Sequence, residues 1–146
     1  MSSVTAPERA DDLSASLGQE GPAQIDAEAG RAVIRYRAAL RMCHSGGVVQ
    51  GGFVAGWLDA AMAHAAMGAA GMHVAPMTLE LKVSYFAPVG PGSVVAEGWV
   101  ERRGRSTCFL EGRLLDADGE VLAKASSTAR LIDRAKVVAR ATGREG

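Results

Sequence analysis

Residues His44 to Ala70 read HSGGVVQGGFVAGWLDAAMAHAAMGAA, and the fold turns on how this stretch is understood. Gly46, Gly47, Gly51 and Gly52 open it. A run rich in Ala, Met and Leu follows without proline, which is helical by propensity. Its surface is small and apolar on nearly every side, so the helix is a buried one that other elements must wrap. Gly68 and Gly71, with Pro76 beyond, are the expected stop. One acid, Asp59, lies inside the run with no lysine or arginine beside it. Burying such a charge unpaired costs on the order of 3 kcal/mol or more, so Asp59 is wet, paired across an interface, or used.

Outward from the helix the pattern is of strands. Before it, Arg31 to Arg37 alternates, with Ile34 and Tyr36 on one side and Val33, Arg35 and Arg37 on the other. A short edge strand is expected around Ala23 to Ile25, and a short helix over Asp11 to Leu17 capped by Asp11 or Asp12. From Arg41 to Gln50 glycines break any regular pattern. After Pro76, Thr78, Glu80, Lys82 and Ser84 alternate with Leu79, Leu81, Val83 and Tyr85, the signature of a half-buried strand. Strands over Ser93 to Arg103, Ser106 to Leu115 and Glu120 to Ile132 follow, joined by turns at Gly104 and at Asp116 to Gly119. Asp133 onward is a frayed helix or a tail. Antiparallel strands with one helix segregated to a face make an α+β domain whose curved sheet encloses the helix.

Composition narrows the function classes. The chain has 146 residues, enough for one domain with a real core. Sixteen basic residues balance sixteen acidic ones, so bulk electrostatics give nucleic acid no purchase. Cys43 and Cys108 form neither CxxC nor a zinc spacing, and a reduced cytoplasmic setting is expected. The first residues lack a basic and apolar leader pattern. Asp59, His64 and His73 interrupt the apolar stretch and argue against a membrane span.

The glycine loop is not a nucleotide P-loop, because Phe53 follows Gly52 where Lys-Ser or Lys-Thr is required. The N–H of Gly51 or Gly52, at the positive end of the helix, can instead donate to a carbonyl oxygen that gains charge during attack. The alternative is that these glycines only permit close approach of helix to sheet. Asp59 lies about 12 Å along the axis from Gly51, too far to act on the same carbonyl within one chain. Two such helices set antiparallel would bring Asp59 of one copy to Gly51 of the other. His44, His64 and His73 lack metal-site spacing, and no GxSxG elbow is present. Arg102, Arg103 and Arg105 around a turn, with Lys124 and Arg130 on the last strand, either bind phosphates or form a solvated hairpin tip. Phe53, Trp57, Met62 and Met67 line an acyl pocket or are simply core.

These residues resemble a known family. A loop N-x-x-G-x-x-H-G-G, an acid nine residues past its His, and a strand opening T-L-E-L and ending in Tyr mark hotdog-fold acyl-CoA thioesterases of the phenylacetate-pathway type. The matching residues are His44-Ser-Gly-Gly47-Val-Val-Gln50-Gly51-Gly52, then Asp59, then Thr78-Leu-Glu-Leu and Tyr85. The resemblance implies a five- or six-stranded antiparallel sheet around one central helix, in a homodimer or homotetramer. Covering about Leu17 to Ile132, the resemblance sets a hotdog domain over 18–134, with a flexible segment over 1–17 and a basic tail over 135–146 expected on either side from composition. It further implies that Gly51 donates to the thioester carbonyl, that Asp59 of the neighbouring chain is nucleophile or base, and that Thr78 assists the attacking water. Gly52 and Tyr85 are expected against the substrate, and Arg102, Arg103, Gly104, Arg105, Ser106 and Arg130 near the nucleotide of coenzyme A. Coenzyme A is part of the substrate, and no cofactor or metal is expected. His44 stands where the family has Asn or Gln, and Gln50 where it has His. Gln50 can donate a hydrogen bond but cannot titrate, whereas His44 can, so this polar pair could have exchanged roles. The rival readings are a non-catalytic acyl-CoA binder on the same scaffold and a hotdog-type hydratase.

Overall fold

The computed structural model describes residues 12–143. In chain order the elements are α1 (Asp12–Ser16), β1 (Gln24–Asp26), β2 (Arg31–Ala38), a 3-10 turn (Leu40–Met42), β3 (Cys43–His44), β4 (Val48–Val49), α2 (Gly51–Ala70), β5 (Val74–Tyr85), β6 (Gly92–Arg103), β7 (Thr107–Leu115), β8 (Val121–Asp133) and α3 (Arg134–Ala141). One six-stranded antiparallel sheet runs β1-β2-β6-β7-β8-β5, and β3 pairs with β4 in a separate two-stranded sheet. The sheet curves around α2, as the hotdog architecture requires. Asp11, a proposed cap of α1, lies outside the described residues.

The core is the seam between α2 and the concave face of the sheet. Val54, Trp57, Leu58, Ala61, Met62, Ala65 and Ala66 of α2 are buried against Ala32, Ile34 and Tyr36 of β2, Val94 and Ala96 of β6, and Leu110 and Leu114 of β7. Each large side chain so buried stabilises the fold by about 1.5–3 kcal/mol. Trp57 stacks on Tyr36 with ring centroids 5.7 Å apart, and its indole N–H donates to Leu17 O at 2.7 Å. That bond ties the segment after α1 across the helix. Trp57 and Met62 are therefore core, and Met67 is nearly so. The contact that sets the helix height is at Gly98 of β6. A Cβ there would lie 2.6 Å from both Ala61 C and Met62 N, so the two backbones meet directly.

Several local expectations are corrected. Pro76 does not separate helix from strand: α2 ends at Gly71, in a positive-φ conformation, and β5 has begun by Val74. Proline is tolerated within β5 because that strand is the sheet edge among the described residues, where one side of the ladder has no partner to lose. The stretch expected to lack regular structure, Arg41 to Gln50, holds the 3-10 turn and the β3–β4 hairpin. Of the two readings offered past Asp133, a helix and a tail, the helix forms: α3 is capped by the Asp133 carboxylate, which accepts from the Ala135 N–H at 3.0 Å.

The alternation of β5 is also broken. A bulge at Leu79 shifts the register between Thr78 and Glu80. Before it Thr78 pairs with Ala129, and after it Leu81, Val83 and Tyr85 pair with Ser127, Ala125 and Ala123. Those β8 residues all face the helix, so Thr78 shares the concave face with Leu81 instead of lying opposite it. Leu79 is left 62% exposed. A second bulge, between Val100 and Arg102 on β6, brings Arg103 opposite the buried Cys108. No helix of the described residues is long and apolar enough to cross a membrane.

Gly98→Ala should destabilise the protein by about 3 kcal/mol in urea unfolding, because backbone on both sides leaves the methyl nowhere to go. A second outcome concerns Tyr36, whose hydroxyl is pushed up from 10.0 to about 12 by burial. Above the ordinary tyrosine range the unfolded chain releases this proton while the native state keeps it. Stability contributed by the neutral phenol is therefore fully present below about pH 10 and falls by about 1.4 kcal/mol per pH unit until about pH 12. Tyr36→Phe should remove that slope from the alkaline stability profile measured beside the parent protein.

Candidate active site

The N-terminus of α2 forms one polar centre. Gln50 stands before the helix in extended conformation, its own N–H bonded to Met42 O at 2.8 Å. Its side-chain Oε1 accepts from the Gly52 N–H at 2.8 Å. Of the two glycine amides expected to be free, Gly52 is thus occupied. The Gly51 N–H has no acceptor among the described residues. From the far end of β5, the Tyr85 hydroxyl donates to Gly51 O at 2.7 Å. Beside these groups opens a cleft of about 400 Å³ lined by Val48, Val49, Gly51, Gly52, Tyr85 and Pro88 among others. His44 is exposed on the β3–β4 hairpin and does not line that cleft. Its turn is tight, with Ser45, Gly46 and Gly47 all at positive φ.

A second centre lies two helical turns along. Asp59 is half-buried, and the Thr78 hydroxyl donates to its Oδ1 at 2.8 Å. The bulge at Leu79 makes this bond possible, since unbroken alternation would point Thr78 away from the helix. No lysine or arginine pairs with Asp59 among the described residues. One carboxylate oxygen is therefore held by Thr78, and the other has no hydrogen-bond donor among the described residues. Asp59 and Gly51 sit on one rigid helix, about 12 Å apart along its axis. Within a chain they do not meet.

The basic turn divides. Arg103 points to the helix side, where its Nη1 donates to Ala69 O at 2.7 Å and satisfies a carbonyl of the last turn of α2. Burial pushes the Cys108 thiol up, and the nearby Arg103 charge opposes that shift. Arg102, Arg105, Gly104 and Ser106 are exposed around the turn, closed by Gly104 N–H to Thr107 O at 2.7 Å. Arg130 joins this end of the sheet through its pairing with Thr107. Lys124 does not: it pairs with Arg113 and Ser84, about 20 Å along β8 from Arg130. His64 lies within the helix, Nδ1 at 2.7 Å from Ala60 O, and His73 is exposed beyond the helix end. Among the described residues no three of His, Cys, Asp and Glu gather as a metal-binding group.

Sequence reasoning missed the bond from Tyr85 to Gly51, the capping role of Gln50 and the ion pairs of Glu97 with Arg31 and Arg113. Only the last carried a signal, as opposite charges on strands that pair.

Residues 46–123, spanning the glycine loop, α2, β5, β6 and β7, match the family model described as thioesterase superfamily. The chain belongs to the thioesterase superfamily. Solved structures agree with that membership. A phenylacetic acid degradation-related protein from Ralstonia eutropha JMP134 is 28% identical, with a TM-score of 0.75 over 84% of this chain and 92% of that one. A conserved protein from Pseudomonas aeruginosa is 26% identical, with a TM-score of 0.74 over 85% of this chain and 100% of that one. The E. coli PaaI protein, from the phenylacetic acid degradation operon, is 17% identical and shares the fold at a TM-score of 0.73 over 84% and 86%. No curated protein matches this thioesterase-superfamily chain.

Proposed function

We propose that this thioesterase-superfamily protein hydrolyses an acyl- or aryl-CoA thioester to the free acid and coenzyme A, in a cytoplasmic homodimer or homotetramer whose reaction centres are each built by two copies. The observation that carries the reading is the division of the polar groups along α2. Gly51, Gln50 and Tyr85 gather at the helix start, while Asp59 and Thr78 gather two turns on. Each centre holds half of what acyl transfer requires. The first offers donors and no base; the second offers an acid without a countercharge and no donor for an oxyanion. Antiparallel pairing of two helices supplies each half with the other.

An edge fit for such pairing supports the reading. Among the described residues β5 is unpaired on one side, and Met77, Leu79 and Tyr85 along it, with Phe86 just past its end, are exposed. Apolar side chains on a bare strand edge call for a covering partner. In the joined centre the Gly51 N–H and the Gln50 Nε2–H donate to the thioester carbonyl oxygen. Asp59 of the partner copy attacks the carbonyl carbon, or takes a proton from a water that does so, with Thr78 holding the carboxylate and that water in line. The tetrahedral intermediate collapses and the C–S bond breaks. The thiolate takes its proton from Asp59 where water attacked, or from solvent where Asp59 itself attacked; in that second case water then hydrolyses the acyl–Asp59 anhydride to the free acid and restores the carboxylate. Arg102, Arg105 and Arg130 are suited to phosphates of the coenzyme, and Arg103 lends its remaining donors from the helix end. The row Thr78–Ala129–Cys108–Arg103 runs straight across the sheet, so the basic turn is about 14 Å from Thr78, a span for an extended carrier arm.

Thiol release from a panel of short, long and aromatic acyl-CoAs tests the reaction. Asp59→Asn should keep substrate binding and lose about 10²–10⁴-fold in kcat, and Thr78→Val should lose less. Saturable binding with no thiol release would instead make the protein an acyl-CoA binder. The division of the site has its own test: Asp59→Asn and Gln50→Ala chains, each strongly impaired apart, should recover turnover toward half the parent rate after subunit exchange, because one centre of the mixed dimer is then intact. No recovery, or an active monomer in sedimentation, would refute the shared centre.

A further inference from the structure

We propose that Tyr85 is a positioning residue: it acts through the Gly51–Gly52 peptide to orient and polarise the Gln50 side-chain amide, and Gly51 and Gly52 are glycines to leave room for that chain of hydrogen bonds. The inference rests on the thioesterase reading for its catalytic consequence.

The groups line up head to tail. The Tyr85 hydroxyl donates to Gly51 O at 2.7 Å. That carbonyl belongs to the same peptide plane as the Gly52 N–H, which donates to Gln50 Oε1 at 2.8 Å. A backbone N–H can only donate, so the Gln50 atom facing it is the oxygen, and Nε2 with its two N–H donors is the free end. Each bond in such a series draws electron density through the next amide, so the donors at Nε2 are strengthened by a hydroxyl that never touches the substrate. The same bond engages the Tyr85 hydroxyl proton with the backbone. Tyr85 is then not a direct hydrogen-bond donor to substrate, as the resemblance alone would suggest.

Glycine at positions 51 and 52 is not required by the backbone. Neither Gly51 nor Gly52 has a positive φ, so ordinary L residues fit their backbone. Each costs up to about 1 kcal/mol of helix propensity relative to alanine. Nor do they admit the sheet, which is what Gly98 does. A Cβ on Gly51 would meet Tyr85 Oη at 3.1 Å, and a Cβ on Gly52 would meet Gln50 Oε1 at 2.6 Å. The nearest neighbours of the missing methyl groups are thus the two side chains of the relay. Alanine at Gly52 would eject the Gln50 amide from its cap.

Steady-state thiol release and NMR of the Gln50 side-chain amide test this together. Tyr85→Phe should lower kcat about tenfold with little change in KM, and Gln50→Ala about a hundredfold. The double variant should be no slower than Gln50→Ala alone, because Tyr85 acts only through that amide. Gly52→Ala should lower kcat while thermal stability holds, alanine being the better helix former, which separates this role from a structural one. In the parent protein the two Nε2 protons should be well separated in shift and slow to exchange. In Tyr85→Phe and Gly52→Ala they should move toward the values of a free glutamine. Losses that multiply in the double variant, or Gln50 resonances unmoved by Tyr85→Phe, would overturn the relay. If the parent releases no thiol at all, the thioesterase reading fails, and the NMR shifts alone still decide whether Tyr85 controls Gln50.

Discussion

The structure depends on one close approach, backbone of α2 against backbone of β6 at Gly98. Where most helix–sheet contacts are separated by side chains, here Ala61 and Met62 lie on the sheet with no Cβ between. Gly112 of β7 extends the same floor, since its Cβ would lie 2.9 Å from Glu97 O and 3.2 Å from the Met62 side chain. Close packing of this kind leaves little slack for the helix to slide or roll. Side chains that must reach from sheet to helix can then be short. Threonine at position 78 bridges to Asp59, and a tyrosine hydroxyl at position 85 bridges to the first turn of α2. The Ala and Gly content that leaves the chain poor in large side chains is the composition that such an approach demands.

On this fixed helix two β-bulges do the aiming. The one at Leu79 turns Thr78 inward to Asp59, and the one between Val100 and Arg102 turns Arg103 inward to the last turn of α2. Both occur in strands that otherwise keep strict alternation, and both bring a polar side chain to the concave face. A bulge is the economical way to do this, because it reverses the facing of one end of a strand without disturbing pairing at the other.

Periodicity made most of the fold legible. The helix after Gln50, the period-two strands after it and the Asp116 to Gly119 turn follow from residue pattern alone, because each is a local preference repeated over many residues. What the pattern concealed is non-local or too short to repeat. The β3 and β4 strands have two residues each, below any period. The bulge at Leu79 leaves no mark in a string of alternating residues, so Thr78 reads as outward when it faces the helix. Pro76 reads as a boundary until the strand is known to be an edge. The sequence singled out Asp59, Gly51 and Tyr85. It could not pair Tyr85 with Gly51 across 34 residues, nor show that Gln50 consumes the second glycine amide.

The electrostatics of Asp59 are unbalanced within one chain. Among the described residues of its own chain the carboxylate has one hydroxyl donor and no cation, on a helix whose neighbouring side chains are Ala, Leu and Met. Its own helix offers nothing further, for the positive end of the dipole is two turns away and acts only over the first turn. On the proposed dimer that deficit is met from outside: the start of the partner helix, with the unspent Gly51 N–H, is where a second helix laid antiparallel must put it. The same groups that would favour the carboxylate in the empty centre would favour the oxyanion once substrate enters. The acid is then left with fewer donors at the moment it must act as nucleophile or base. A centre assembled this way cannot be closed by loop motion inside one chain, since both halves ride on one rigid rod. On the proposed function, association of two copies is the step that completes it.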